Sequence, residues 1–364
     1  MKSNYSLKLI EDDKGFKNLE KAWLDFEKSI NHQNITSSYY WLLNFWDVFK
    51  NFNNPRFGYN KKLIIICVYV GKKIVAVAPF LRVKRKKLGI SVSFIEFLGQ
   101  QWGASYLDII TKKNNKEIKN IIFDWLKKNV KFDIIFLKYI PENTKSFDLN
   151  ELNLYSACPL IQISDHLNYD DFVKNKYSKN LKQNLRTAYN RAKKFNFNIE
   201  TSIELINEHN LPDVIRISKS KLLDGKRTLY ENKEKLLFIK KILKSMDSNI
   251  VFVKIKGVNV AYRINVFFNN NKFCIDASYN RDYKKFELGS ISVEANIKDS
   301  FSKNTYIHCL GPGLDRYKQK FTKKNKYVNI YISKGNTFIS YPIIRLMKYL
   351  VIYKSKQFKI KLEK

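Results

Sequence analysis

The sequence predicts an α/β (α+β) protein assembled from two similar halves, and three observations predict it. A chain of 364 residues is long for a single core, so two domains are expected. With 45% apolar and 15% aromatic residues it has the material for packed interiors. One order of patterns, helix–helix–β–β–β–helix–β, occurs twice along the chain.

In the first half, Leu19, Ala22, Trp23, Phe26 and Ile30 recur at spacings of three and four, which predicts a helix over residues 17–30. The aromatic-rich stretch 37–49 predicts a second helix. Apolar runs 63–70 and 74–81 flank Gly71-Lys72-Lys73 and predict a hairpin. Residues 92–98 predict a further strand, and Ile118, Ile122 and Leu126 share one face of a helix over 116–128. A strand at 133–139 closes the half. In the second half, Asp170 or Asp171 can cap a helix reaching about residue 194, followed by a helix over 231–246. A hairpin turns at Lys256-Gly257 between runs 250–255 and 260–268. Strands at 273–279, 306–309 and 327–333, and a helix from Gly289-Ser290 to about 301, complete it. The domain expectation is 1–165, 166–335 and a tail, 336–364. Two unrelated α/β domains of a common type would give the same order.

Composition narrows the chemistry. Cys67, Cys158, Cys274 and Cys309 stand far apart, with no C-x-x-C and no zinc spacing, so no metal is expected and a reducing cytoplasm fits best. Residues 1–20 carry no signal-peptide core, and no apolar run approaches the ~20 residues that cross a bilayer. The net charge is +34, a field that draws in phosphates, coenzyme A, anionic lipid or nucleic acid. No base-reading motif is present, so sequence-specific DNA binding is not expected.

The most informative segment is Thr305-Tyr306-Ile307-His308-Cys309-Leu310-Gly311-Pro312-Gly313-Leu314-Asp315-Arg316-Tyr317-Lys318-Gln319-Lys320-Phe321. A short β run enters Gly-Pro-Gly, a turn that brings main-chain N–H groups to the strand end, beside a phenol and a fixed cation. It resembles the "G…YK..F" signature of the BioF2-like (CelD-like) branch of the GNAT superfamily, which is related to the Fem aminoacyl transferases. Val75-Ala76-Val77-Ala78-Pro79-Phe80, Phe97-Leu98-Gly99, Ser105-Tyr106-Leu107-Asp108 and Ser178-Lys179-Asn180-Leu181-Lys182-Gln183-Asn184-Leu185-Arg186 are similar to further segments of that family. The resemblance covers about residues 5–335.

The resemblance implies two tandem GNAT-like domains, each a mixed, mostly antiparallel sheet flanked by helices. It implies an acyl-CoA-dependent N-acyltransferase, with acetyl-CoA or another acyl-CoA as co-substrate and no metal. The acceptor would be a primary amine, an amino sugar or amino acid of cell-surface polysaccharide or envelope synthesis. Acyl-CoA would lie in a gap between splayed strands, its diphosphate on a helix N-terminus. Here that implies Gly289, Ser290, Ala277, Ser278, Lys284 and Lys318 as its contacts. His308, Asp276 and Tyr317 are the implied catalytic groups, and Trp102, Tyr106, Asp108 and Asp315 the implied acceptor contacts. The fuller GNAT diphosphate loop is absent, and His308-Cys309 stands where the family carries an aspartate. A structural role for His308, and packing under the turn for Tyr317 and Lys318, are the plain alternatives. Two rival functions are a Fem-like transferase using aminoacyl-tRNA and a non-catalytic, membrane-associated binding protein on the same scaffold.

The basic stretch 174–194 fits tRNA, a nucleotide-sugar diphosphate or anionic lipid, or is simply a solvated face. The tail mixes Ile343, Ile344, Leu346, Met347 and Leu350 with Arg345, Lys348, Lys354 and Lys356. That pattern suits either an amphipathic helix on an anionic membrane surface or a helix docked on its own domain. The expected location is cytoplasmic, peripheral at the inner membrane face in the first case.

Overall fold

The computed structural model describes residues 5–87, 89–112, 116–225, 228, 230, 232–337 and 340–363. In chain order these form β1 (Tyr5–Ile10), α1 (Asp13–Asn18), α2 (Glu20–Ser29), α3 (Tyr39–Phe49), β2 (Tyr59–Val70), β3 (Lys73–Lys87), β4 (Ile90–Phe97), β5 (Ile110–Thr111), α4 (Lys116–Asn129) and β6 (Ile134–Pro141). There follow β7 (Asn153–Gln162), α5 (Tyr169–Lys176), α6 (Lys179–Lys194), β8 (Ile199–Glu204), α7 (Leu211–Lys219), α8 (Lys233–Ser245), β9 (Ser248–Ile255), β10 (Val258–Phe268) and β11 (Asn271–Tyr279). The chain ends with α9 (Leu288–Ser302), β12 (Ile307–Cys309), α10 (Arg316–Gln319), β13 (Asn325–Lys334) and α11 (Ser340–Glu363). The chain forms two compact units, Met1–Ser156 with Tyr327–Lys364, and Ala157–Lys326.

In the first unit the strands run β1-β2-β3-β4-β6-β13, with β5 beside β3. Only the β4–β6 pairing is parallel among those described. Alternation sends Ile64, Ile66, Phe80, Ile95 and Leu137 to one face, where Ile118, Ile122, Phe123 and Leu126 of α4 close the core. An aromatic cluster forms around α3, with Phe45 and Phe57 each 4.7 Å from Phe49 between ring centroids.

In the second unit the order is β7-β12-β11-β10-β9-β8, with β11–β12 the parallel pair. Val253, Ile255, Val260 and Ala261 pack beneath Leu181, Leu185, Ala188 and Ala192 of α6 and Ile291, Val293 and Ile297 of α9. Each unit is thus a mixed, mostly antiparallel sheet flanked by helices, as the sequence implies.

Several elements differ from the sequence reading. The helix expected from Asp170 or Asp171 to 194 breaks at Tyr177, which is extended (φ −79°, ψ 119°), and Ser178 caps α6 by accepting from Leu181 N at 3.1 Å. The helix expected over 17–30 breaks at Leu19 into α1 and α2. β1, β7, β8 and α7 have short or irregular apolar patterns and are not apparent in the sequence. The last strand does not close the second half: β13 pairs with β6, and 327–364 belong to the first unit. Glu231, the expected start of α8, lies outside the described residues.

Candidate active site in the second unit

β11 and β12 pair over three residues, Asn271↔Ile307, Lys272↔His308 and Phe273↔Cys309. β11 then continues to Tyr279, while the other chain leaves it and follows β7: Leu310 N donates to Pro159 O and Gly313 N to Ala157 O, both at 2.9 Å. The strands therefore diverge into a wedge. Gly311 sits at its apex with φ +81°, where a Cβ would come within 2.9 Å of Cys274 O. Only glycine combines that backbone with that approach.

The wedge coincides with a bulge. Ile264 pairs with Asp276 and Asn265 with Cys274, so Ile275 is the extra residue of β11. Beyond Phe273, β11 keeps β10 as a partner and has no strand partner on its β12 side among the described residues. Main-chain polar groups of 275–277 thus border an opening, as an acyl carbonyl would require.

α9 starts close by in sequence, at Leu288, after the loop that follows the end of β11 at Tyr279. Its cap, Glu287, is left-handed (φ 51°) and makes no side-chain cap to the helix amides. Ser290 N and Ile291 N donate to Glu287 O, whereas Leu288 N and Gly289 N have no acceptor among the described residues. A Cβ on Gly289 would meet nothing within 4 Å, so there is open space beside this residue at the helix start. The Glu287 carboxylate accepts from Ser290 Oγ at 3.3 Å and pairs with Lys320 at 3.2 Å, which offsets its charge. Lys284 is exposed in the segment leading to α9.

Asp276 projects from the bulged strand and is partly exposed. Its Oδ2 accepts from Tyr262 Oη at 2.6 Å and Tyr230 Oη at 3.0 Å. Burial, and then the Asp276 charge, push both phenols well above their ordinary pKa of 10, so they remain donors. Oδ1 has no partner among the described residues. Ser278 Oγ is buried and likewise unpartnered, and Ala277 O accepts from Lys221 Nζ at 3.2 Å.

Arg263 is the residue that sequence reasoning missed. It is 1% exposed, donates to Ser292 Oγ at 3.0 Å and to Cys274 Sγ at 3.4 Å, and lies 5.3 Å from the centre of the Tyr317 ring. Burial works against its charge, yet the adjacent Tyr317 and Cys274 raise its pKa above the ordinary guanidinium value. Its signal was a lone cation inside the apolar run Val260–Ala261–Tyr262–Arg263–Ile264. Tyr230 and Tyr262 gave no comparable signal.

Two sequence assignments are corrected by their surroundings. His308 is fully buried, accepting from Asn296 Nδ2 at 2.9 Å and pairing through Nδ1 with Ser300 Oγ at 3.1 Å. Ser300 Oγ donates to Asn296 O, so Nδ1 carries the proton and both ring nitrogens are committed. Burial, with Lys272 and Arg263 nearby, holds its pKa well below 6.5. It is a neutral core residue and not a base. Lys318, 5% exposed, donates to Pro312 O at 2.9 Å, Gly311 O at 3.2 Å and Gly313 O at 3.4 Å, with Asp315 at 3.1 Å. It clamps the Gly-Pro-Gly turn, and its donors are spent there and not on a phosphate. Asp315 belongs to the same clamp.

The neutral histidine has a pH consequence. Its folded pKa is depressed, so the unfolded state binds the extra proton below about pH 6.5. Its contribution is present above that value and is lost as pH falls toward the folded pKa. Urea unfolding at pH 7.5 and 5.0 should show a stability loss that shrinks in His308→Gln; an equal loss in both proteins contradicts this.

The structure thus brings Asp276, Ala277, Ser278, Gly289, Ser290 and Tyr317 into one unit with the wedge. Trp102, Tyr106 and Asp108 belong to the first unit. Tyr106 and Asp108 are buried there, Tyr106 N and O both engaging Thr36 Oγ1 and Asp108 Oδ1 accepting from Ile109 N at 2.8 Å. Trp102 is partly exposed, 6.2 Å from Phe49 between ring centroids. No group of three or more potential metal ligands occurs among the described residues, and no described helix is long and apolar enough to cross a membrane. All four cysteines are free and buried.

No family model and no curated relative matches the sequence. Among solved structures the chain is similar to FemX, with a TM-score of 0.61 and 11% identity over 93% of this chain and 99% of that one. It is similar as well to a conserved protein of unknown function from Bacteroides thetaiotaomicron VPI-5482, with a TM-score of 0.57 and 10% identity over 89% and 99% of the two chains. At these identities the likeness is one of fold. That fold agrees with the Fem-related resemblance carried by the Gly-Pro-Gly and Tyr-Lys-x-x-Phe segment.

Proposed function

We propose that this chain is an acyl-CoA-dependent N-acyltransferase that moves an acyl group to a primary amine. The observation that carries the reading is the wedge between β11 and β12, with unsatisfied amides at the start of α9. The thioester carbonyl occupies the wedge beside the amides of 275–277, and the diphosphate takes Leu288 N and Gly289 N, with the Ser290 hydroxyl turning to it from Glu287 and Lys284 supplied by the preceding segment. Asp276 Oδ1 accepts a proton from the attacking amine, whose lone pair forms the new C–N bond. The C–S bond breaks, and the leaving thiolate receives the proton of Tyr317 Oη, whose resulting charge the Arg263 guanidinium steadies. The acceptor class, an amino sugar or amino acid for the cell envelope, rests on the family resemblance.

Calorimetric titration with acetyl-CoA, longer acyl-CoAs and bulk tRNA at two salt concentrations tests this. Acyl-CoA should bind, and Gly289→Glu, which places a carboxylate at the open helix end, should weaken binding at least tenfold. A second reading, aminoacyl-tRNA as donor, is favoured by Lys179, Lys182, Arg186, Lys193 and Lys194, all exposed along α6. Steeply salt-dependent tRNA binding without acyl-CoA binding would select it. Silence toward both would leave a non-catalytic scaffold.

A further inference from the structure

We propose that the outer face of α11 is a membrane-contact surface, on which the first unit lies flat against an anionic phospholipid bilayer. The inference goes beyond the transferase reading and uses none of its residues. α11 carries two stripes on opposite faces. The inner one, Ile344, Val351 and Ser355, is spaced by seven and four and is buried, as a helix docked on its own domain requires. The outer one holds Leu346, Tyr349, Tyr353 and Ile360 at spacings of three, four and seven, with Ile352 beside it. Each of these five is 43–66% exposed.

A helix packed on a domain ordinarily turns polar residues outward. Here water meets a second apolar row along a helix of 24 residues, about 36 Å long. Single exposed apolar side chains are ordinary, whereas a continuous row marks a contact surface. α11 is not apolar enough to cross a bilayer, so the contact is in the plane of the surface.

Charge decides what covers the row. Residues 340–362 contain no Asp or Glu. Arg345, Lys348, Lys356 and Lys359 are exposed along one flank of the stripe, and Lys354 and Lys361 along the other. Water solvates these cations, so they call for no ligand by themselves. They set the sign of whatever the apolar row approaches. Two copies paired through this face would bring like charges together with no carboxylate to offset them. An anionic bilayer suits both features. Leu346, Ile352 and Ile360 enter the acyl boundary, and Tyr349 and Tyr353 keep their hydroxyls at headgroup depth. The lysine stems reach past them to lipid phosphates.

The full chain would be floated with vesicles of phosphatidylcholine alone and of phosphatidylcholine mixed equally with phosphatidylglycerol. Partitioning onto the mixed vesicles should exceed that onto phosphatidylcholine at least tenfold. A chain with a net charge of +34 also adsorbs to anionic vesicles through charge alone, and the variants separate the two cases. Leu346→Ser/Tyr349→Ser/Tyr353→Ser keeps every cation and should cut partitioning at least tenfold. Lys348→Gln/Lys356→Gln/Lys359→Gln keeps the apolar row and should cut it at least tenfold on mixed vesicles. All six side chains are exposed, so both variants should fold and leave acetyl-CoA titrations unchanged, which separates this surface from the transferase reading. The native cysteines are buried, so an environment-sensitive dye on Tyr349→Cys reports this face, and its emission should shift to the blue on mixed vesicles. Wild-type partitioning retained by the serine variant, or a dye spectrum that vesicles leave unchanged, overturns the proposal. So does equal partitioning onto both kinds of vesicle. A concentration-dependent dimer in sedimentation that the serine variant abolishes, without vesicle binding, would assign the face to a second copy and overturn it as well.

Discussion

Replacing Lys272 with methionine should destabilise the protein by about 3–5 kcal/mol, because it strands a buried charge. Lys272 is 0% exposed, its ammonium hydrogen-bonded to Asp299 Oδ2 and, at 2.9 Å, to Asn296 O. Burial pushes its pKa down to about 8, while Asp299 opposes that shift. Asp299 also accepts from Asn249 Nδ2 at 2.8 Å, Asn249 Oδ1 accepts from Asn265 at 2.9 Å, and Asn265 Oδ1 accepts from Asn296 at 2.9 Å. The network ties the sheet to α9 beneath the wedge. Removing the ammonium leaves the Asp299 carboxylate without its cation in a site closed to water. The double variant Lys272→Met/Asp299→Leu should recover much of the loss, since a matched apolar pair carries no stranded charge. Urea unfolding measures both. A Lys272→Met midpoint equal to that of the wild type would show that Asp299 finds another partner.

The second large effect is on rate. Asp276→Asn should lower acyl-transfer turnover by about 10²–10⁴, the usual contribution of a positioned base. The amide oxygen still accepts from Tyr230 and Tyr262, so stability should change by about 1 kcal/mol or less. Acyl-CoA affinity should stay within a factor of two, because in the proposed complex α9 holds the diphosphate. Turnover unchanged in Asp276→Asn would remove the aspartate from the chemistry, whatever its effect on binding.

Legibility of the fold followed periodicity. α4 spans Lys116–Asn129 against an expectation of 116–128, because its apolar positions repeat at helical spacing on a polar background. Both hairpins were visible through glycines at their turns, Gly71 at φ 58° and Gly257 at φ 75°. β7 was not, since Pro159 interrupts its run, and β8 was not, since half its residues face solvent. The break before α6 was hidden inside a continuous helical pattern, although Ser178 was a cap in plain view.

For the site, the Gly-Pro-Gly turn and the start of α9 could be placed from sequence, because backbone freedom and helix ends have local signatures. Roles could not. His308 and Lys318 carry reactive groups in the right neighbourhood, yet one is locked between Asn296 and Ser300 and the other spends its donors on turn carbonyls. Arg263 and the two tyrosines on Asp276 come from elsewhere in the chain and meet only in the folded sheet.

From the linear chain alone came the two-part α/β plan, the order of its strongest elements and the turn that closes the second sheet, all set by interactions within a few residues. Tertiary structure decided that β13 joins the first sheet, that β11 and β12 part after Phe273 and Cys309, and which polar groups remain unspent at the gap. Strand partnership and solvent exclusion are long-range properties, set by which distant segments compete for the same hydrogen bonds and the same dry interior.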